Sequence, residues 1–416
     1  MIPRNNVSSP NTDLQPRQRI DSIDALRGFA LIGILMVHCM EHFDINFTPV
    51  LSSPFWQWID TAVRNALLFL FAGKAYAVFS LLFGLSFFIQ MDSQARKGKD
   101  FRLRFLWRLT LLLLLGYLNG VIYMGEFLLI YALLGIFLVP LYKVPTKWLI
   151  ALTVLLFVQI PDIVRLIALL TGNAPAAPTG SMVWMDAIYD EAYGIFTEGS
   201  FRDVIRFNLW ESQPARVLWT INASRYPQLL GLFIAGLLIG RSGIYRSEEK
   251  MARYSRKALP YGIALFAVCY TVMLLCPSFG LEGYALDAAV LLFKTYANLG
   301  MTLIYVSAFV LLYYTTRSRR VLNRLAPFGR MSVTNYMIQS AAGVCLFYGF
   351  GANLALTATN LQAMLVGWAI ILIQILYSKW WLGRFHYGPV EWLWRTATWF
   401  RRVPNRRRQK APAGFA

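Results

Sequence analysis

DSIDALRGFALIGILMVHCMEHF, residues 21–43, is the stretch that decides the fold. It opens with Ser22, Asp24 and Arg27, runs without formal charge from Gly28 to Met40, and closes on Glu41 and His42. An α-helix repeats every 3.6 residues, so positions 24, 27, 31, 35, 38 and 42 share one face. At 1.5 Å per residue the ends of that face lie roughly 27 Å apart, close to the thickness of a hydrocarbon layer. The segment reads as a membrane-spanning helix with Asp24 and Arg27 at one end of a polar stripe. His38 and His42, two of the three histidines in the chain, stand at the other end.

The rest of the composition agrees. Of 416 residues 57% are hydrophobic and only 15% charged, and the mean hydropathy is +0.48. A soluble domain carries about 25% charged residues. Apolar runs of about 18 residues or more recur along the chain. Ten spans are expected, at about 24–43, 74–91, 104–123, 126–142, 147–170, 227–241, 258–278, 286–315, 331–351 and 360–382. The apolar stretch 55–73 either lengthens the second span or forms a re-entrant piece. The fold class is therefore an all-α polytopic membrane protein with about ten transmembrane helices.

The net charge of +19 raises nucleic acid as a partner, and the distribution of that charge argues against it. Thirty-two of the 40 lysines and arginines fall in the N-terminal tail, alternate connections and the C-terminal tail. The positive-inside rule then places both termini in the cytoplasm. On this topology Asp24 and Arg27 face the cytoplasm, and His38 and His42 lie toward the outer leaflet. The expected location is the bacterial inner membrane, with no cleavable signal peptide. Residues 1–20 read as a disordered tail, 21–400 as one helical domain and 401–416 as a basic tail. The long 171–226 loop, starting with GNAPAAPTG, is expected to hold extracytoplasmic amphipathic helices. Residues 388–400, with three tryptophans and flanking arginines, suit an interfacial helix. Glu391 and Arg395 are spaced to pair along it. Cys39, Cys269, Cys276 and Cys345 read as small apolar fillers.

Ionisable groups inside spanning helices are costly and mark cavities or partners. His42 is a candidate general base at the outer mouth, since imidazole titrates near neutral pH. An interfacial histidine bonded to loop backbone is the alternative. His38 and Glu41 complete the candidate catalytic group, although successive side chains diverge on a helix, so Glu41 is poorly placed to orient His42. The histidines lack a third ligand, so no metal is expected. Asp24 and Arg27 form either an N-terminal ion pair, capped by Ser22 or Asp21, or a cytoplasmic anchor for a phosphorylated donor. Lys74, after Gly73, snorkels to the interface or binds substrate. Glu126 favours a helix N-terminus, or pairs with His42 or Lys74. Arg225 is ambiguous in the same way. Asn335 and Gln339 share a face and either join helices or contact substrate. No serine-nucleophile elbow or P-loop is present.

Six blocks carry a resemblance. They are DALRGFALIGILMVH (24–38), GKAYAVFSLLFG (73–84), GEFLLIYALLG (125–135), LLGLFIAGLLIGR (229–241), GRMSVTNYMIQS (329–340) and GPVEWLWR (388–395). In this order, across almost the whole chain, they resemble the YeiB-like bacterial inner-membrane proteins. The first-helix pattern is distantly similar to the transmembrane acyltransferase superfamily, which includes heparan-α-glucosaminide N-acetyltransferase. Asp24, Arg27 and Gly28 match the shared helix start, and His38 falls where related sequences often carry Asn. The resemblance implies an acyltransferase that moves an acyl group, expected to be acetyl, from cytoplasmic acyl-CoA to a hydroxyl or amine outside. A histidine would be its base, His42 by role. Asp24, Arg27 and Arg330 would hold the acetyl-CoA donor. Lys74, Glu126, Arg225, Asn335 and Gln339 would face the acceptor, a small molecule, lipid or glycan. Membrane lipids are the other partners, and a homodimer is compatible with this reading. A transporter or flippase for a small metabolite or lipid headgroup is the competing reading, with the same polar stripe lining a passage.

Overall fold

A computed structural model describes residues 20–173 and 180–407. Most of both expected tails, and residues 174–179 of the 172–180 run, lie outside the described residues. Among the described residues nineteen α-helices follow in order: α1 Asp21–Met40, α2 Pro54–Phe71, α3 Ala75–Ala95, α4 Arg102–Ile122, α5 Leu128–Leu141, α6 Thr146–Phe157 and α7 Ile160–Leu170. Next come α8 Gly180–Glu198, α9 Phe201–Trp210, α10 Ser212–Asn222, α11 Arg225–Ser242, α12 Glu248–Leu275 and α13 Gly283–Tyr313. The last six are α14 Thr316–Leu322, α15 Ala326–Arg330, α16 Ser332–Phe347, α17 Leu354–Thr357, α18 Asn360–Arg384 and α19 Pro389–Trp399. Among the described residues the sole β pairing is an isolated bridge between Phe385 and Arg406.

Among the described residues seven segments are long and apolar enough to cross a bilayer: α1, α2 with α3, α4, α6 with α7, α12 running on to Phe279, α13, and α18. The protein is a multi-pass membrane protein on that ground. The other three expected spans correspond to α5 and α16, of 14 and 16 residues, and to α11. α11 has 18 residues but spends three of them on Arg225, Gln228 and Arg241, which lowers its hydropathy.

α1 is the axis of the bundle. Of its apolar window 72% is buried inside the protein, against 17% for α12. It packs against α2, α3, α15, α16 and α18. At the Asp24 end lie α15, α19 and the part of α3 around Ser86; at the His38 end lie Tyr123 after α4, and α17. Helices on the periphery present bare apolar side chains, such as Leu372, Ile373 and Leu376 of α18. In water such a face would be penalised, whereas lipid accepts it. Between α3 and α11 the backbones nearly touch. A Cβ on Gly84 would strike the Phe233 carbonyl, and one on Gly236 the Leu81 carbonyl. Small residues at a membrane helix interface permit this approach, and dispersion contacts supply the attraction.

Residues 55–73 lengthen the second span, as α2 and α3 form one apolar segment from Pro54 to Ala95 with a break between the two helices. α2 starts beside the first turn of α18, where Asp60 accepts from Asn360 Nδ2 at 2.6 Å and from the Leu361 backbone N–H at 2.9 Å. It descends to Gly33 at mid-α1, breaks, and continues as α3 toward the Asp24 end. The break sits at Gly73, whose φ of +81° suits glycine. The carbonyl of Leu70, orphaned by the break, accepts from the Tyr305 hydroxyl at 2.6 Å. A second broken segment, α6 with α7, turns at Gln159 (φ +55°) ahead of Pro161.

Candidate functional site

Two cavities lie on either side of the middle of α1. The first, of about 920 Å³, is at its Asp24 end. Arg27, Ser86, Gln90, Arg108, Arg330 and Trp394 supply its polar and aromatic lining. Arg27 is held in place. Its guanidinium donates to Asp24 Oδ1 at 2.7 Å and to Ser86 Oγ at 3.0 Å. Arg108 lies over the Trp394 ring, 3.7 Å from its centroid. Asp24 does not line the cavity, and its part is to orient Arg27. Ser22 and Asp21 do not cap α1. The N-cap is Ile20, and the Ser22 hydroxyl instead meets that of Tyr314 at 3.1 Å.

Glu391 borders the same cavity. Its carboxylate accepts from the backbone N–H groups of Val333 (2.8 Å) and Thr334 (3.0 Å) and from the Thr334 hydroxyl (2.5 Å). It thus satisfies donors that the start of α16 would leave orphaned. Desolvation pushes this carboxyl above its ordinary range, against the pull of those same bonds. Arg395, its expected partner, stacks on the Tyr387 ring at 4.9 Å.

The second cavity, of about 930 Å³, opens at the other end of the stripe. His38, Glu41, Gly73, Tyr76, Trp219 and Arg225 are among its lining residues. His38 Nδ1 is 2.7 Å from the Tyr123 hydroxyl, and its Nε2 is buried with no hydrogen-bond partner. The Tyr123 hydroxyl in turn faces Asp44, and both crowd the place a Cβ on Gly125 would occupy. When Tyr123 donates to Asp44 it accepts from His38 Nδ1–H. That tautomer leaves the Nε2 lone pair bare. Glu41 Oε2 is 3.9 Å from His38 Nδ1. Phe79, Leu128, Tyr131, Ser332 and Val333 line both cavities and form the wall between them.

His42 does not stand on the stripe. α1 ends at Met40, and His42, Phe43 and Asp44 all take positive φ, so the chain leaves the helix before the face can continue. His42 is fully buried, 5.6 Å from the Phe347 ring between centroids, with Nδ1 3.1 Å from the Ala355 carbonyl. It lines neither cavity. The two histidines are thus separated, and His38 is the one that reaches open space.

The remaining candidates divide. Arg225 lines the His38 cavity and donates to the Tyr76 hydroxyl. Lys74 is the N-cap of α3, only 6% exposed, with Nζ 5.5 Å over the Phe69 ring. Glu126 is fully buried outside both cavities and bonds Asn119 and the Leu128 backbone N–H. It lies just ahead of α5, accepts from the first N–H of that helix, and meets neither His42 nor Lys74. Asn335 and Gln339 also lie outside both cavities. Asn335 donates to Ser378 Oγ at 2.9 Å and Gln339 to Gln374 Oε1 at 2.9 Å, so the pair joins α16 to α18. Tyr123, Asp44, Arg108 and Trp219 escape the sequence reading, because each reaches the site from another helix or loop at no recognisable spacing.

Residues 239–401 match a family described as "Protein of unknown function (DUF418)". Among similar proteins, "Uncharacterized protein YxaH" of Bacillus subtilis (strain 168) is 28% identical, over 96% of this chain and all of the relative. "Uncharacterized 39.9 kDa protein in amylase 3'region" of Bacillus acidopullulyticus is 26% identical over 93% of this chain and 96% of its own. "Uncharacterized protein YeiB" of Escherichia coli (strain K12) is 26% identical, covering 92% and 96% respectively. No solved structure matches the chain. The chain is thus similar nearly end to end to YeiB and YxaH, and it carries a region at its C-terminal side that matches the DUF418 family.

Proposed function

We propose that the protein is a membrane-embedded acyltransferase, carrying an acyl group from cytoplasmic acyl-CoA to a hydroxyl or amine at the outer face of a bacterial inner membrane. The observation that carries this reading is a pair of cavities sharing one wall, of which one holds three arginines and the other a histidine. One is lined by Arg27, Arg108 and Arg330, and the other by His38 and Glu41. In the proposed topology both termini are cytoplasmic and the chain crosses ten times. The short helices α5, α11 and α16 join the seven longer segments, and α8, α9 and α10 lie outside. The arginine cavity then opens to the cytoplasm, where guanidinium groups suit the phosphates of CoA. The thioester reaches toward the wall at Tyr131 and Ser332.

His38 Nε2 takes the proton from the acceptor as its oxygen or nitrogen bonds to the thioester carbon. The carbon–sulfur bond breaks, and the departing CoA thiolate receives a proton from the imidazolium. Tyr123 and Asp44 fix the imidazole tautomer, and Arg225 faces the acceptor. The test uses purified protein, labelled acetyl-CoA and a membrane extract as acceptor pool. Label appears in an acceptor with the native chain and not with His38→Gln. Failure of acetyl-CoA to bind overturns the reading.

The broken helix α2–α3 favours a second reading, because discontinuous spans often line transport sites. A transporter or flippase would move its cargo in proteoliposomes with no acyl donor present.

A further inference from the structure

The His38 cavity has more positive charge around it than its own acids neutralise. Glu41 is the one acid in its lining. Arg225 lines it as well, with its guanidinium over the rings of Tyr76 (5.0 Å) and Trp219 (5.8 Å) and its Nε buried without a hydrogen-bond partner. Lys74, at the helix break, is nine-tenths buried and has an aromatic ring for company. Lys294 of α13 lies within electrostatic range of both. Among the described residues none of these three cations makes an ion pair. A buried charge without a counter-charge is costly to hold, and its persistence implies an anion that arrives from outside.

Two helix ends add to this. Neither α3 nor α11 has a side-chain cap at its N-terminus. Both ends abut the cavity, where Gly73, Ala75 and Arg225 are lining residues. They are tied together, since Arg225 donates to the Tyr76 hydroxyl and Tyr76 donates to Gln228 Oε1 at 2.8 Å. Uncapped N–H groups and the positive ends of two helix dipoles therefore meet beside Arg225 in the lining, with Lys74 at the helix break between the lining residues Gly73 and Ala75.

We propose that the first turns of α3 and α11, with Lys74 and Arg225, bind a phosphate-class oxyanion, and that the acceptor of the transfer carries this group. The second half of the statement rests on the acyltransferase reading, and the first half does not. A phosphate held at Arg225 leaves a hydroxyl or amine of the same molecule free to face His38. The group can belong to a lipid headgroup or to a soluble phosphate ester, and the two are separable by experiment.

The experiment measures thermal unfolding of the full chain in phosphatidylcholine nanodiscs at constant ionic strength. One arm adds inorganic phosphate or glycerol phosphate, and the other replaces part of the lipid with phosphatidylglycerol. A saturable rise in Tm in the first arm identifies a soluble ester, and a rise confined to the second identifies a lipid. Arg225→Lys keeps the charge but loses the fork, and it raises the half-saturating concentration about tenfold. Lys74→Met abolishes the rise while increasing the Tm of the ligand-free protein, because it removes an unpaired buried charge. Arg27→Gln, in the other cavity, leaves the rise intact. No rise in either arm overturns the proposal, as does a rise that survives Lys74→Met or disappears with Arg27→Gln. If the rise behaves as stated and no acyl transfer is found, the anion site stands and the catalytic reading falls.

Discussion

The two cavities along α1 differ in how the α1 side chain that lines each, Arg27 or His38, is bonded. At the Asp24 end, Arg27 arrives with a carboxylate and a hydroxyl already bonded, Arg108 lies on an indole, and the Glu391 carboxylate accepts three hydrogen bonds. At the His38 end, His38 Nε2 and Arg225 Nε are buried with no partner. A satisfied constellation is rigid before its ligand arrives and recognises a fixed shape. An unsatisfied one costs free energy until something fills it, and so points to groups whose partners belong to a substrate. The difference suits a donor held by a preformed cradle and an acceptor that completes the site.

The largest effect expected from this contrast is at the histidines. His38→Gln lowers transfer about 10²- to 10⁴-fold, the usual range for loss of a general base. His42→Gln leaves transfer within a few-fold and lowers thermal stability instead, because it disturbs a fully buried ring bonded to Ala355. The two variants measured side by side with labelled acetyl-CoA decide the matter. A collapse of activity in His42→Gln with His38→Gln unaffected would reverse the roles of the two ends. Next in size is Arg27→Gln. Hydrogen bonds to charged groups contribute about 1.5–3 kcal/mol, so CoA affinity falls about ten- to a hundredfold. Calorimetric titration with CoA checks this, and unchanged affinity would remove the donor from the arginine cavity.

The membrane class and the importance of α1 were legible in the sequence because hydrophobic runs and charge asymmetry are local signals. The stripe was legible as far as His38. It failed at His42 because helical periodicity cannot announce its own end, and no Gly or Pro marks the left-handed turn at 42–44. The break at Gly73 left a trace, a glycine and a lysine inside an apolar stretch, but composition alone does not distinguish a broken pass from a long one. Tyr123 and Asp44 left none. They meet His38 only through the packing of α4 and the loop after α1, and that proximity is written in three dimensions.

The smallest effect concerns Glu391, which belongs to the Asp24 end and tests how firmly that end is held. Its folded-state pKa lies above the ordinary 4.5 because desolvation outweighs the three hydrogen bonds it accepts. A group whose pKa rises on folding binds its proton more tightly in the native state. It therefore contributes stability below the ordinary value that is lost as pH climbs through the folded one. In the native protein the Tm should decline from about pH 4.5 upward by a margin that Glu391→Gln removes, since the amide keeps an acceptor oxygen for the start of α16 without a charge to desolvate. Tm measured against pH for both proteins gives the comparison. Parallel curves would mean that the carboxylate is solvated in practice, and that the cavity at the Asp24 end opens wider around α19 than the described geometry allows.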